Sequence, residues 1–302
     1  MFGRPQTVIC LTSVTLAAIL AACSSSPTAT TTTASMSQGQ ADTAAAALTT
    51  EADNLSDGAT STGGTNIAAA FAIVPASPMA RTMSNPPLLC SPTRSPNPPT
   101  NSDADAVPDS VKWDFTGCLI NHPFATESLG GAIIFEDPTP TVTDHAVTRI
   151  FDNFFIQTRR IIRGDTIMDE WNGPQSWTRD SNHTQFTENA FTLVHTFPNG
   201  NTASHVRTWS STFIADTAGS IQDDAPLPSG TRNITGTSQW TWRNTTWDFS
   251  VTTNPPLHRQ DACTTVPLFD SGTMTVVATR PSETTTITIT FTGCGTYTVS
   301  RS

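Results

Sequence analysis

Apolar residues recur at every second position through much of the chain beyond residue 110. Val111, Trp113 and Phe115 alternate with Ser110, Lys112 and Asp114, and Ile287, Ile289 and Phe291 alternate with threonines. A period of two places each set on one face of a strand. The same pattern predicts strands over 132–136, 150–158, 191–197 and 205–214. Pro198-Asn199-Gly200-Asn201 separates the last two, and Asn-Gly accepts the positive φ of a tight hairpin. Residues 238–251 read as another hairpin. With its turn between Asn244 and Thr245, Trp242 faces Trp247 and Trp240 faces Phe249, all on one face. Trp171 and Trp177 flank Gly173 and Pro174, a stretch that reads as loop.

Helical pattern is confined to the N-terminal part. Residues 41–55 (ADTAAAALTTEADNL) predict one short helix, broken by Thr60 to Thr65, TSTGGT. Residues 66–74 form an apolar run that fits either helix or strand. The expected fold is mainly β: a long antiparallel meander forming a curved sheet, open barrel or sandwich, with a short N-terminal helix.

Composition narrows the function. The 302 residues carry 15 basic and 25 acidic side chains, a net charge of −10, and Lys112 is the only lysine. Without a basic stripe the chain is not expected to bind nucleic acid or to hold a polybasic patch on a membrane. Residues 24–40 are rich in Ser, Thr, Ala and Pro with few bulky apolar groups, the composition of a disordered tether.

The first residues have the anatomy of an export signal. Arg4 supplies a basic region, residues 7–20 an apolar one, and small residues precede Cys23. Leu20-Ala21-Ala22-Cys23 resembles the lipobox of bacterial lipoproteins. The resemblance implies removal of 1–22 and acylation of Cys23. Ser24, where an aspartate would imply retention at the inner membrane, implies the outer membrane. Two or three acyl chains, at roughly 0.8 kcal/mol per buried CH₂, hold a protein on a bilayer almost permanently.

Four cysteines then remain, Cys90, Cys118, Cys263 and Cys294. An even count in an exported chain reads as two disulfides. Val111-x-Trp113-x-Phe115-Thr-Gly-Cys118 is echoed by Ile287-x-Ile289-x-Phe291-Thr-Gly-Cys294, and each copy has a cysteine upstream, 118 − 90 = 28 and 294 − 263 = 31 residues away. A duplicated unit carries its bond internally, so Cys90–Cys118 and Cys263–Cys294 are the expected pairs. The organisation is then a signal at 1–22, lipidated Cys23 and tether at 23–40, helix and linker at 41–89, and a β domain at 90–302 clamped at 90–118 and 263–294. Over 90–302, the alternating strand with paired cysteines, Phe151-Asp152-Asn153-Phe154, the threonine-rich meander, and Pro256-Leu257 before Cys263 resemble β-rich envelope lipoproteins of diderm bacteria. That resemblance brings no activity with it.

Asn101-x-Asp103-x-Asp105-x-x-x-Asp109 has site-like spacing. It resembles the calcium loops of thrombospondin type-3 repeats and EF-hands, with oxygen ligands at positions 1, 3, 5 and 9 and the Val107 carbonyl available at 7. Ala106 stands where those loops use Gly, and Lys112 where they use a bidentate acid, so a plain solvated acidic loop is the default. Apart from calcium no cofactor is expected. His195 and His205 flank the Asn-Gly hairpin and read as ordinary strand residues, and Asp169-Glu170 as a loop acid pair. No nucleophile motif is present, so the chain is not read as an enzyme. Two readings remain. One is a lipid-anchored, non-enzymatic structural or interaction module of the envelope, partnered by the membrane and an envelope protein. The other is a carbohydrate-binding module that stacks glycan on exposed Trp171 and Trp177, with calcium in support; the default for the tryptophans is that they fill the sheet's core, since few large aliphatics compete for that role.

Overall fold

The computed structural model describes residues 37–61 and 92–302, except 106, 143–145, 223–224 and 243–244. The expected mainly β fold with one N-terminal helix is present. Helix α1 (Gln38–Ser61) is followed by β1 (Thr93–Ser95), β2 (Ser110–Asp114), β3 (Cys118–His122), β4 (Ala125–Glu136), β5 (Val147–Arg160), β6 (Thr166–Arg179) and β7 (His183–Thr196). The chain continues through β8 (Thr202–Ala215), β9 (Gly230–Trp242), β10 (Thr245–Thr253), β11 (Leu257–Arg259), β12 (Phe269–Arg280), β13 (Glu283–Gly293) and β14 (Thr296–Arg301). All belong to one antiparallel sheet in the order β1-β2-β4-β5-β6-β7-β8-β9-β10-β12-β13-β14, with β3 on β4 and β11 on β9 and β12. The two ends of that order do not meet, so the sheet is open.

The sheet has a dry face and a wet one. Phe154, Trp171, Leu193, His205, Trp240 and Trp247 form one row of registered neighbours across six strands, all buried. On the opposite face a row of hydroxyls runs Thr148, Ser176, Thr187, Ser210, Thr235, Thr252, Thr275, Thr288 and Ser300, from β5 to β14. Threonine suits this position because its branched Cβ favours the extended backbone while its hydroxyl faces water.

Helix α1 covers part of the dry face with Ala41, Ala44, Ala45, Leu48 and Ala52, in one cluster with Trp209, Trp240, Trp247 and Ile289. It packs against β6 and β7 and also against β13 and β14. In the sheet β7 and β13 stand five steps apart. Laid flat, five steps span about 24 Å, twice the width of a helix. The sheet therefore curls around α1, and the alanines let it approach closely.

Aligned bulges assist the curl. Register shifts fall at Gly130/Ala132 on β4, Phe151/Phe154 on β5, Asn172/Gln175 on β6 and Glu188/Phe191 on β7. Each holds a residue at positive φ: Gly131, Asn153, Gly173 and Ala190. A β-bulge bends its strand and increases its twist. It also resets the phase, so Phe151 and Phe154, three apart, both point inward and meet at 6.0 Å.

Several expectations are corrected. Trp171 and Trp177 lie in β6, not in a loop, and face inward. The 238–251 hairpin pairs Trp242 with Thr245, Trp240 with Trp247 and Ser238 with Phe249, one step tighter than expected, because only two residues connect the strands. The helix extends beyond 41–55 at both ends. The apolar run 66–74 and Cys10, Cys23 and Cys90 lie outside the described residues. Cys263 and Cys294 are bonded, with Cα atoms 5.4 Å apart and a sequence separation of 31. In the chain-entropy account such a loop is worth roughly 3.5 kcal/mol. Cys118 is also disulfide-bonded, to a partner outside the described residues, so neither Cys263 nor Cys294 is its mate. In both repeat copies an antiparallel pair, β1–β2 or β12–β13, stands between the cysteine positions.

A Cβ on Gly131, at φ +73°, would lie 2.0 Å from the Asn153 carbonyl oxygen. Gly131→Ala should therefore cost about 3 kcal/mol or more in urea unfolding. Ala190→Gly, which relieves a positive φ of 49°, should gain about 1 kcal/mol. Equal stabilities for the two variants would remove the bulge line from any role in holding the bend.

Candidate functional site

The acidic loop lies against the far end of β4. Asp105 Oδ1 accepts from the Val107 N–H at 2.6 Å, and Asp103 Oδ1 from the Asp105 N–H at 3.2 Å, the short side-chain-to-backbone turns that aspartate favours. Asp137, immediately after β4, donates its N–H to the Asp109 carbonyl at 3.2 Å and so is tied to this loop. One carboxylate oxygen from each of Asp103, Asp105 and Asp137 lies within 4.8 Å of the others. Asp137 is only 5 % exposed. Its Oδ1 takes the Thr139 N–H at 2.8 Å, while its Oδ2 is buried with no hydrogen-bond donor.

Carboxylates this close repel by about 3 kcal/mol per pair at an effective dielectric of 20, and a cation reverses the sign. Oxygens on opposite sides of a calcium bound at 2.3–2.6 Å lie about 4.6–5.2 Å apart, so the cluster has the span of a calcium site. The ligand set differs from the one expected. Asp109 turns away and accepts from Ser102 N–H and Oγ at 2.7 Å each; these bonds hold its carboxyl below the ordinary range. Asn101 spends its amide N–H on the Asp105 carbonyl at 2.5 Å. Asp137 replaces them, from 32 residues beyond Asp105 (137 − 105). No sequence spacing signals that contribution.

A second polar constellation crosses the dry face. Arg149 Nε donates to Gln175 Oε1 at 3.2 Å, Gln175 Nε2 to Glu188 Oε1 at 2.6 Å, and Arg207 Nη2 to the same oxygen at 2.7 Å. Arg149 lies against Phe151 and Trp177, and Arg207 against Phe191 and Trp209. Burial lowers Arg149 to about 10 despite Glu188. Desolvation of charges this deep offsets much of their mutual attraction, while removing one partner would leave the other buried and uncompensated.

Histidines acquire carboxylate partners that the sequence did not reveal. Asp169 and His195 are registered neighbours on β6 and β7, with Nδ1 2.6 Å from Oδ1. Glu170 points to the opposite face, so the expected acid pair is split. A carboxylate-held imidazole is half of a general-base arrangement; the register partner of His195 on β8, Ala203, and the ring against it, Phe197, carry no nucleophile. His205 registers with Leu193 rather than His195. It is buried, its Nε2 has no partner, and burial, with Arg207 adding to it, lowers its pKa to about 3.

The tryptophan platform is absent. Trp171 and Trp177 are 7 % and 6 % exposed, because the inward phase of β6 uses them to fill the trough, against Phe154 and Phe186. Trp113, Trp209, Trp240 and Trp247 are also buried. The wet face has a shallow groove of about 430 Å³ lined by groups such as Thr208, Thr237, Gln239, Asp248 and Ser250, with no indole. Among the described residues no helix is long and apolar enough to cross a membrane. No protein-family model, curated protein or solved structure matches the chain.

Two outcomes are expected. Calcium at a hundredfold excess over its dissociation constant should raise the melting temperature by about 5 °C or more. Asp137→Asn should abolish the shift and Asp109→Asn should keep it; the reverse result would return the site to the sequential motif. For His205, the unfolded chain protonates near 6.5 and the native protein only near 3. Stability should thus fall as pH drops below 6.5, by about 2 kcal/mol at pH 5 from this group alone. His205→Leu should flatten urea-derived stability between pH 7 and 5 by that amount, and an unchanged slope would contradict the assignment.

Proposed function

We propose that the protein is a lipid-anchored, non-enzymatic module of the cell envelope, held on the outer membrane by acyl chains on Cys23 and acting by contact with an envelope partner. The observation that carries this reading is Leu20-Ala21-Ala22-Cys23 at the end of a short apolar segment. The Cys263–Cys294 bond supports it, since disulfides persist in exported proteins. The division of the sheet adds support: the aromatic side fills its own trough, and the hydroxyl side offers a broad polar surface. The carboxylate site of Asp103, Asp105 and Asp137 takes calcium as a staple between loop and sheet. The carbohydrate-binding reading is weaker, because its stacking residues face inward.

The test is acylation itself. The mature N-terminal peptide from the native host should begin at Cys23 and carry diacylglyceryl mass. Cys23→Ser should leave the peptide unacylated and shift the protein from the membrane to the soluble fraction. A wild-type peptide with a bare thiol would overturn the reading.

A further inference from the structure

The β5–β6 turn has a composition unlike the rest of this acidic protein. Arg159, Arg160, Ile161, Ile162 and Arg163 are consecutive, so three of the 15 basic residues fall within five positions. Ile161 is 58 % exposed and Ile162 78 %, and Phe124 on the neighbouring β3–β4 turn is 54 % exposed. The two turns are joined, since Ile161 donates its N–H to the Phe124 carbonyl at 2.9 Å. A single exposed isoleucine needs no explanation. Three large apolar groups on adjoining turns, ringed by arginines, do.

The turn is built rather than frayed. Arg160 N–H bonds the Asp165 carbonyl and Gly164 N–H the Arg160 carbonyl, both at 2.9 Å, with Gly164 at φ +67°. Arg160 also grips Asp165 through Nε and Nη2 at 2.6 Å each. Asp165 cancels one charge, leaving a local excess of two, with Arg159 and Arg163 exposed. The isoleucines are thereby held outward.

We propose that this tip docks on an anionic phospholipid surface, with Phe124, Ile161 and Ile162 entering the interface and Arg159 and Arg163 meeting headgroup phosphates. Apolar side chains beside cationic ones are the composition of interfacial binding, and arginine suits phosphate through its planar fork. The occupant follows from charge: a net −10 chain concentrates positive charge where three of its exposed large apolar side chains, including the most exposed, Ile162, lie together. The proposal rests on the lipid-anchored reading, and the reach is sufficient. From Cys23 to Ser37 there are 37 − 23 = 14 links, at most about 50 Å of chain, so an acylated Cys23 leaves the tip free to reach the same bilayer.

The test uses the mature chain as Cys23→Ser, so that no acyl chain contributes, with vesicles of phosphatidylcholine alone or with phosphatidylglycerol. Co-sedimentation is expected with the anionic vesicles, falling in 0.5 M salt. Ile161→Asp with Ile162→Asp should weaken it about tenfold or more, as should Arg159→Gln with Arg163→Gln, without altering the far-ultraviolet spectrum. Absence of vesicle binding, or binding indifferent to both double variants, overturns the tip. Acylation of Cys23 is read separately by mass spectrometry, so the tip and the anchor fail independently.

Discussion

A single sheet with one apolar face must bend until that face is buried, because among the described residues no second sheet covers it. Here the bend depends on three features: bulges aligned across β4 to β7, a helix of small residues within the trough, and aromatic side chains large enough to fill it. Each presupposes the others. Without the bulges, Phe151 and Phe154 would fall on opposite faces. Without alanines at 41, 44 and 45, the helix would stand off from the strands it packs against. With about 150–250 Å² of surface on each aromatic ring, burying these rings dominates the folding free energy.

The trough is not purely apolar, and that shapes its response to pH. His205 interrupts the inner row and is neutral where the unfolded chain would be charged, so acid weakens the fold through it. His258 acts in the opposite sense. Hydrogen bonds to Asp216 at 2.9 Å and Asp270 at 2.7 Å raise its pKa against a smaller desolvation penalty. Its contribution is complete below 6.5 and is lost as pH rises through the higher folded value. It lies near the surface where water screens it, so the buried histidine decides the balance.

The alternation of Val111, Trp113 and Phe115 and of Ile287, Ile289 and Phe291 was enough to foresee a two-faced antiparallel sheet, and Asn199-Gly200 the β7–β8 turn. Bulges defeated the same logic in mid-strand. Alternation broken at Gly173-Pro174 reads as loop, yet β6 runs through it in a single phase, because the extra residues at that point belong to its neighbours β5 and β7. That misplaced Trp171 and Trp177 and left a ligand role open beside the core-filling role, which is the one they have. The acidic loop was legible only in its local half: Asp103 and Asp105 lie together, whereas Asp137 comes from the end of another strand and Asp109 turns to Ser102. The pairing of Asp169 with His195 depends on β6–β7 register, which a bulge also resets.

The antiparallel meander gives the molecule two distinct ends. Ala125 at the start of β4 registers with Arg160 at the end of β5, so the Phe124 and Ile161 turns share one end. Asp137 follows the last residue of β4 and therefore lies at the other. Twelve residues of strand separate them, about 40 Å at 3.3 Å per residue. Were the proposed tip to rest on lipid, the carboxylate loop would stand that far from it, in water. The hydroxyl face runs between the two ends. Positive charge at one end and carboxylates at the other give this acidic chain a polarity along its strands, so a charged surface met at the tip would also orient it.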